Sequence, residues 1–185
     1  MGSWPGVDLP AVLRLTMGEL PELPYLPELP ARAAAAGLVG RGIGLIIGLA
    51  ADLQPAGWRL TGADAGSGRD QRRAKAQIRD DLDQLEEQAH DWEGVFKLSF
   101  PGPWTMAGTV ELPRGELVLA DTGARRELTQ ALALGIADFV AEVERRLPLA
   151  TIRTQVDEPL LAAVLAGTLP TASGYRRHRA VDHPE

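Results

Sequence analysis

Cysteine is absent from all 185 residues. That excludes disulfides, thiolate zinc sites and cysteine nucleophiles within these residues. It also fits a reducing compartment, so a cytoplasmic location is expected. Aromatic residues are scarce, at 5%, so the core must be built mostly from Leu, Val, Ile and Ala. Positive charge is the minority: 19 Lys and Arg against 25 Asp and Glu leave a net charge of −6. That balance favours solubility and argues against nucleic acid as a partner. No basic stripe with interleaved aromatics is present, and the nearest run, Arg176-Arg177-His178-Arg179, is short. No basic segment followed by an apolar run opens the chain, so no signal peptide is expected. Long apolar runs are missing too. The most lipid-like stretch, residues 42–51, is bounded by Arg41 and Asp52 and falls far short of the ~20 residues that span a bilayer. No membrane partner is expected. Gly40, Gly44 and Gly48 copy the spacing of a membrane dimerisation motif, which in a soluble chain reads as close packing in the core.

What is present is an alternation of short apolar runs and long amphipathic stretches. Residues 1–8 read as a strand exit, with Asp8 capping a helix whose first turn holds Pro10. Residues 20–30 repeat a Leu-Pro step, with prolines at 21, 24, 27 and 30. That is the three-residue spacing of polyproline II, suited to a stiff connection or to a partner that reads proline-rich peptides. Residues 31–47 are Ala- and Gly-rich and predict helix. Leu49 to Gln54 predicts a short buried strand ended by Pro55, and Trp58 to Leu60 begins another. Ala63 to Gly68 reads as a loop, with Ser67 and Asp70 in capping-box spacing. Ala74, Ile78, Leu82, Leu85 and Ala89 recur at helical steps. Val95 to Phe100 predicts a strand stopped by Pro101-Gly102-Pro103. A helix capped by Asp121 or Thr122 then carries Leu128, Leu132, Ile136, Phe139, Val143 and Leu147. Thr151 to Val156 alternates as a strand, Asp157-Glu158-Pro159 ends it, and a short helix over 160–165 follows. The tail, 173–185, is polar and expected to fray. The whole reads as one α/β domain, 1–185, with parallel strands. Either an open Rossmann-like sheet or a barrel satisfies that pattern, and no Gly-rich dinucleotide or phosphate loop is present.

Polar groups fall at three expected strand ends: Ser3, the turn around Trp104 and Thr105, and Asp157 with Glu158. In an open loop, Asp-Glu-Pro is a turn with solvated acids. At a barrel mouth, such carboxylates bind an ammonium group or act as acid and base. Consecutive residues leaving a strand point apart, so one of the two is expected to face the site. The Gly-Pro-Trp-Thr turn is either a plain strand-to-helix connection or a cap whose exposed amides meet an anion.

Gly2-Ser3-Trp4-Pro5, Gly102-Pro103-Trp104-Thr105 and Gln155-Val156-Asp157-Glu158-Pro159 occur in that order, each after an expected strand. This order resembles the catalytic barrel of cobalamin-independent methionine synthases, which carries Ile-Gly-Ser-x-Pro, Thr-Gly-Pro-x-Thr and Gln-x-Asp-Glu-Pro motifs. With Gly-Ser-Trp-Pro-Gly and Leu-Pro-Glu-Leu-Pro, it is similar to the shorter, single-barrel proteins of actinobacterial type. The likeness runs along essentially the whole chain. It implies the N-terminal portion of a (β/α)8 TIM-type barrel, about five of eight βα units. It implies zinc-dependent methyl transfer from a methyl-folate to homocysteine sulfur, forming methionine, with zinc favouring the thiolate nucleophile. By the same resemblance Ser3 helps hold the amino acid and Asp157 holds its ammonium, with Glu158 beside it. Trp104 and Thr105 lie on the folate side.

The chain departs from the family at several places. The folate-stacking indole is replaced by Thr109, the His-Gly-Glu strand end by the region from Asp52 to Pro55, and the family's cysteine ligands have no counterpart. His183 is not assigned as a metal ligand. Zinc is therefore expected for the family and not for this chain alone, and the chain alone is expected not to catalyse the transfer. The competing expectations are a non-catalytic module that binds amino acid or folate, and an interaction protein. The latter would act through the proline segment, or self-associate by pairing of open half-barrel edges.

Overall fold

The computed structural model describes residues 2–62 and 68–181. Most of the loop expected over 63–68, Ser67 of the expected capping box, and His183 lie outside the described residues.

Helix α1, Leu9–Glu19, starts where expected: Asp8 accepts the Ala11 amide at 3.0 Å, and Pro10 sits in the first turn. Two 3-10 turns, Pro30–Arg32 and Ala34–Ala36, precede α2, Leu38–Leu45. Ala33 joins the turns at φ +146° and ψ 176°, a region almost reserved for glycine. Helix α3, Arg69–Ala89, buries Ala74, Ile78, Leu82, Leu85 and Ala89 on the face the spacing predicts. Helix α4, Pro103–Ala107, is a single turn and a half. Helix α5, Thr122–Arg146, is capped by Asp121, whose carboxylate accepts the Ala124 amide at 2.8 Å. Helix α6 is Leu161–Leu165.

Four strands are regular among the described residues. β1, Ala51–Gln54, and β2, Gly57–Leu60, pair antiparallel. This corrects the expectation of parallel strands throughout. The two-residue connection between them is far too short for the crossover that parallel pairing needs. β3, Gly94–Pro101, and β4, Ala150–Asp157, do pair parallel, in register from Gly94 opposite Ala150 to Pro101 opposite Asp157. The long connection through α4 and α5 makes that possible.

Parallel bridges extend beyond this pair. Ser3 bridges Glu28, and Tyr25 bridges Lys97 of β3. The Trp4 amide donates to the Glu28 carbonyl and the Glu28 amide to the Gly2 carbonyl, both at 2.9 Å. The Leu26 amide meets the Lys97 carbonyl at 3.1 Å, and the Lys97 amide the Pro24 carbonyl at 2.8 Å. Residues 2–4, residues 24–28, β3 and β4 therefore lie side by side, parallel and in chain order. The Leu-Pro stretch is thus partly a sheet element. Polyproline II and β backbones differ by only tens of degrees, so the prolines permit both. The described residues form a mixed α/β fold with a small parallel sheet and no closed barrel.

The core is two apolar clusters joined through Ile136, which packs on both. One gathers Leu9, Leu13, Leu82, Phe139 and Val143 on the face of β3 that carries Phe96, Leu98 and Phe100. Phe100 and Phe139 meet edge to face, 5.7 Å between ring centres. The other gathers Ile43, Ile46, Trp58, Met106, Val110, Leu128 and Leu132. Of the three spaced glycines, Gly40 and Gly44 serve close packing, whereas Gly48 is exposed at φ +78° with nothing within 4 Å of its missing Cβ. A Cβ on Gly40 would collide with the Ala34 carbonyl oxygen, and one on Gly44 would sit 2.6 Å from Ile78 Cδ1. Beneath α2, buried Asp81 accepts from Arg32 at 2.5 Å and Arg41 at 2.9 Å. The tail expected to fray folds back as far as it is described: Pro170 bridges Arg177, and the His178 amide donates to the Leu169 carbonyl at 2.8 Å. No helix among the described residues is long and apolar enough to cross a membrane.

Candidate functional site

Ligands of parallel α/β arrangements gather at the carboxyl ends of the strands. Those ends here are Ser3, Glu28, the Pro101-Gly102 corner, and Asp157 with Glu158. Ser3 and Glu28 meet directly: the Ser3 hydroxyl donates to Glu28 Oε2 at 3.3 Å. Glu28 is 7% exposed. Burial pushes its carboxyl above the ordinary glutamate range. The nearby charge of Arg41 and the Ser3 hydrogen bond pull it down, and the Asp157 carboxylate pushes it up again. Asp157, singled out by its motif, is thus brought to the same end of the sheet as Ser3. Glu28 joins them as an acid that the motif reading did not place.

Asp157 is oriented by a chain of polar groups on the face of β3 opposite Phe96, Leu98 and Phe100. Gln155 Nε2 donates to Asp157 Oδ1 at 2.6 Å, and Lys97 Nζ donates to Gln155 Oε1 at 3.1 Å. The lysine fixes which way the amide points, so its NH2 group faces the aspartate. Lys97 Nζ also lies 5.1 Å over the Tyr25 ring, whose hydroxyl accepts from Trp4 Nε1 at 2.7 Å.

Glu158 is placed differently. Its two oxygens accept the backbone amides of Trp104 at 2.9 Å and Thr105 at 2.6 Å. The anion that meets the exposed amides of α4 is therefore this side chain. Gly102 makes the room, since a Cβ there would collide with the Glu158 carboxyl group. Asp157 and Glu158 diverge as consecutive strand-end residues should, one held by Gln155, the other turned into the α4 cap. Thr105 is buried and its hydroxyl accepts the Leu160 amide at 3.4 Å. Trp104 packs beside the second apolar cluster with Arg125 at 6.0 Å from its ring. Together with Pro103 they line a cleft of about 240 Å³. Thr109 folds onto its own helix turn, its hydroxyl donating to the Thr105 carbonyl at 2.8 Å. Asp52 accepts the Asp70 amide at 3.1 Å and caps α3. The backbone hydrogen bond from Asp70 is the main reason its carboxyl is held below the ordinary range.

Glu28 was hidden because prolines flank it and its segment reads as a connector. The usable signal was an acid ending an extended run just before an Ala- and Gly-rich helical stretch, which is the shape of a βα unit. Among the described residues no group of three or more His, Cys, Asp or Glu has the arrangement of a metal site. Comparison with protein-family models, with curated proteins and with solved structures found no match.

Proposed function

We propose that this chain holds the amino-acid substrate of a methionine synthase-like methyl transfer, with the ammonium group seated between Glu28 and Asp157 and Ser3 beside it. The observation that carries this reading is a buried glutamate under the influence of a second carboxylate at the carboxyl ends of one parallel set. The charge of Arg41 offsets this only in part, because burial still leaves the Glu28 carboxyl above its ordinary range. An incoming ammonium supplies further positive charge through charge-assisted hydrogen bonds. Gln155 occupies Oδ1 of Asp157, which leaves Oδ2 for the ligand. The chain order of the four parallel segments supports a barrel-type arrangement. In that reading the methyl-folate lies toward Trp104 and Thr105.

In the family, zinc supplies a stabilised thiolate on the substrate sulfur. The residues described here do not fit it: cysteine is absent, and no His, Asp and Glu cluster replaces it among them. These residues therefore bind and orient the amino acid, and thiolates from elsewhere would be needed for methyl transfer.

Calorimetry with homocysteine and methionine tests this, with 2-hydroxy-4-(methylthio)butanoate as the analogue lacking nitrogen. Binding of the amino acids, about tenfold or more weaker for the hydroxy acid and for Asp157→Asn, is expected from loss of a charged hydrogen bond. Absence of binding, or equal binding of the hydroxy acid, would reject the reading. Stoichiometric zinc with turnover in the purified chain would reject the non-catalytic part of it.

A second reading, self-association through the open edge of β4, is favoured by one observation. Among the described residues β4 pairs only with β3, and Val156 and Leu149 on it and beside it are more than half exposed. Sedimentation over a concentration series would show association that Val156→Lys abolishes. A monomer at all concentrations would remove this reading.

A further inference from the structure

Residues 168–181 fold back over the start of α5 and border a solvent-open pocket of about 480 Å³, within the usual size of small-molecule sites. Its lining includes Glu116, Thr122, Arg125, Arg177, His178 and Arg179. Three guanidinium groups thus face one carboxylate in a chain whose net charge is −6.

The cations are only partly used. Arg125 Nη1 donates to the Leu119 carbonyl at 2.7 Å and Nη2 to the Thr122 hydroxyl at 3.0 Å. Arg177 uses Nη1 alone, on the Thr168 carbonyl at 3.2 Å. Arg179 has no hydrogen-bond or ion-pair partner among the described residues.

His178 is the independent sign. Its side chain is 6% exposed, yet its Nε2 makes no hydrogen bond. Glu116 Oε1 lies 3.2 Å away but out of line, and already accepts the Leu117 and Ala172 amides, each at 3.2 Å. A buried ring nitrogen without a hydrogen bond is costly unless something else meets it, and its polar neighbour is the partly exposed Glu116 carboxylate.

We propose that this pocket binds a small dianion carrying phosphate or carboxylate groups, held by Arg177 and Arg179 with His178 Nε2 donating from beneath. Guanidinium groups match both oxyanions through paired N–H donors. The site is separate from the Ser3, Glu28 and Asp157 group and does not depend on the amino-acid reading.

The test is calorimetry on the full chain with inorganic phosphate and, separately, glutarate, at fixed ionic strength. One-to-one binding of at least one is expected, about tenfold weaker in Arg179→Gln and again in Arg177→Gln, each removing one charged contact. Both side chains are exposed, so neither change threatens folding. Binding should persist in Asp157→Asn, which separates this site from the other. Phosphate binding alone would mark a phosphate-bearing ligand, and glutarate alone a dicarboxylate. Binding of neither probe, or binding that both arginine variants leave unchanged, would overturn the proposal.

Discussion

A buried carboxylate is costly to ionise, and Glu28 is one. Its folded pKa is raised, chiefly by burial. Its contribution to stability is therefore complete below the ordinary glutamate range and is lost as pH rises through the folded value. Glu28→Gln removes that loss. The variant should melt higher than the parent at neutral pH, and the difference should close as pH falls below the ordinary glutamate range, in thermal melts across pH. Glu158 plays a different part at the same sheet end. Its two amide contacts cap α4, so Glu158→Ala should cost about 1–2 kcal/mol in denaturant titration. Gly102→Ala should cost a similar amount by displacing the same carboxylate.

At the scale of elements, α3 and α5 are tied by Arg146. It reaches Asp83 at 2.7 Å, Glu86 at 2.9 Å and Glu142 at 2.6 Å, and is 14% exposed. Hydrogen bonds from Arg145 and Arg146 hold the Glu142 carboxyl down to about 2. The stability Glu142 adds is therefore present above the ordinary glutamate range and lost as pH falls through about 2. Arg146→Ala should cost about 1 kcal/mol, less at high salt, by urea unfolding. Ala33 bears the opposite sign. At φ +146° it is strained, and Ala33→Gly should gain about 1 kcal/mol. The two long helices and β3 and β4 were legible because each carries one unbroken period, as Ala74-Ile78-Leu82-Leu85 does. The β1–β2 hairpin was misread because a four-residue strand of mixed polarity suits a parallel strand and a hairpin arm alike. The 24–28 segment was misread because proline spacing outweighed its apolar residues, and Glu28 was lost with it. Ser3 and Asp157 were legible as strand-end residues through motif order; that both fall at one end of the same parallel set depends on pairing between residues far apart in the chain, which local pattern does not encode.

At the scale of the whole molecule, the two apolar clusters share Ile136 and both contact α5. They should unfold together. Trp4 and Trp92 pack on one cluster, Trp58 and Trp104 on the other, so tryptophan fluorescence and far-ultraviolet circular dichroism should give coincident transitions. Separate transitions would mean two independent units. The central claim is that parallel strand ends bring Glu28 and Asp157 together as a seat for an ammonium group. The most direct test follows the Glu28 side-chain carboxyl by carbon NMR, in chain labelled at glutamate, during pH titration with and without saturating methionine. The account predicts a raised pKa in the free chain that falls when the amino acid binds. A Glu28 titration that methionine leaves unmoved would contradict it.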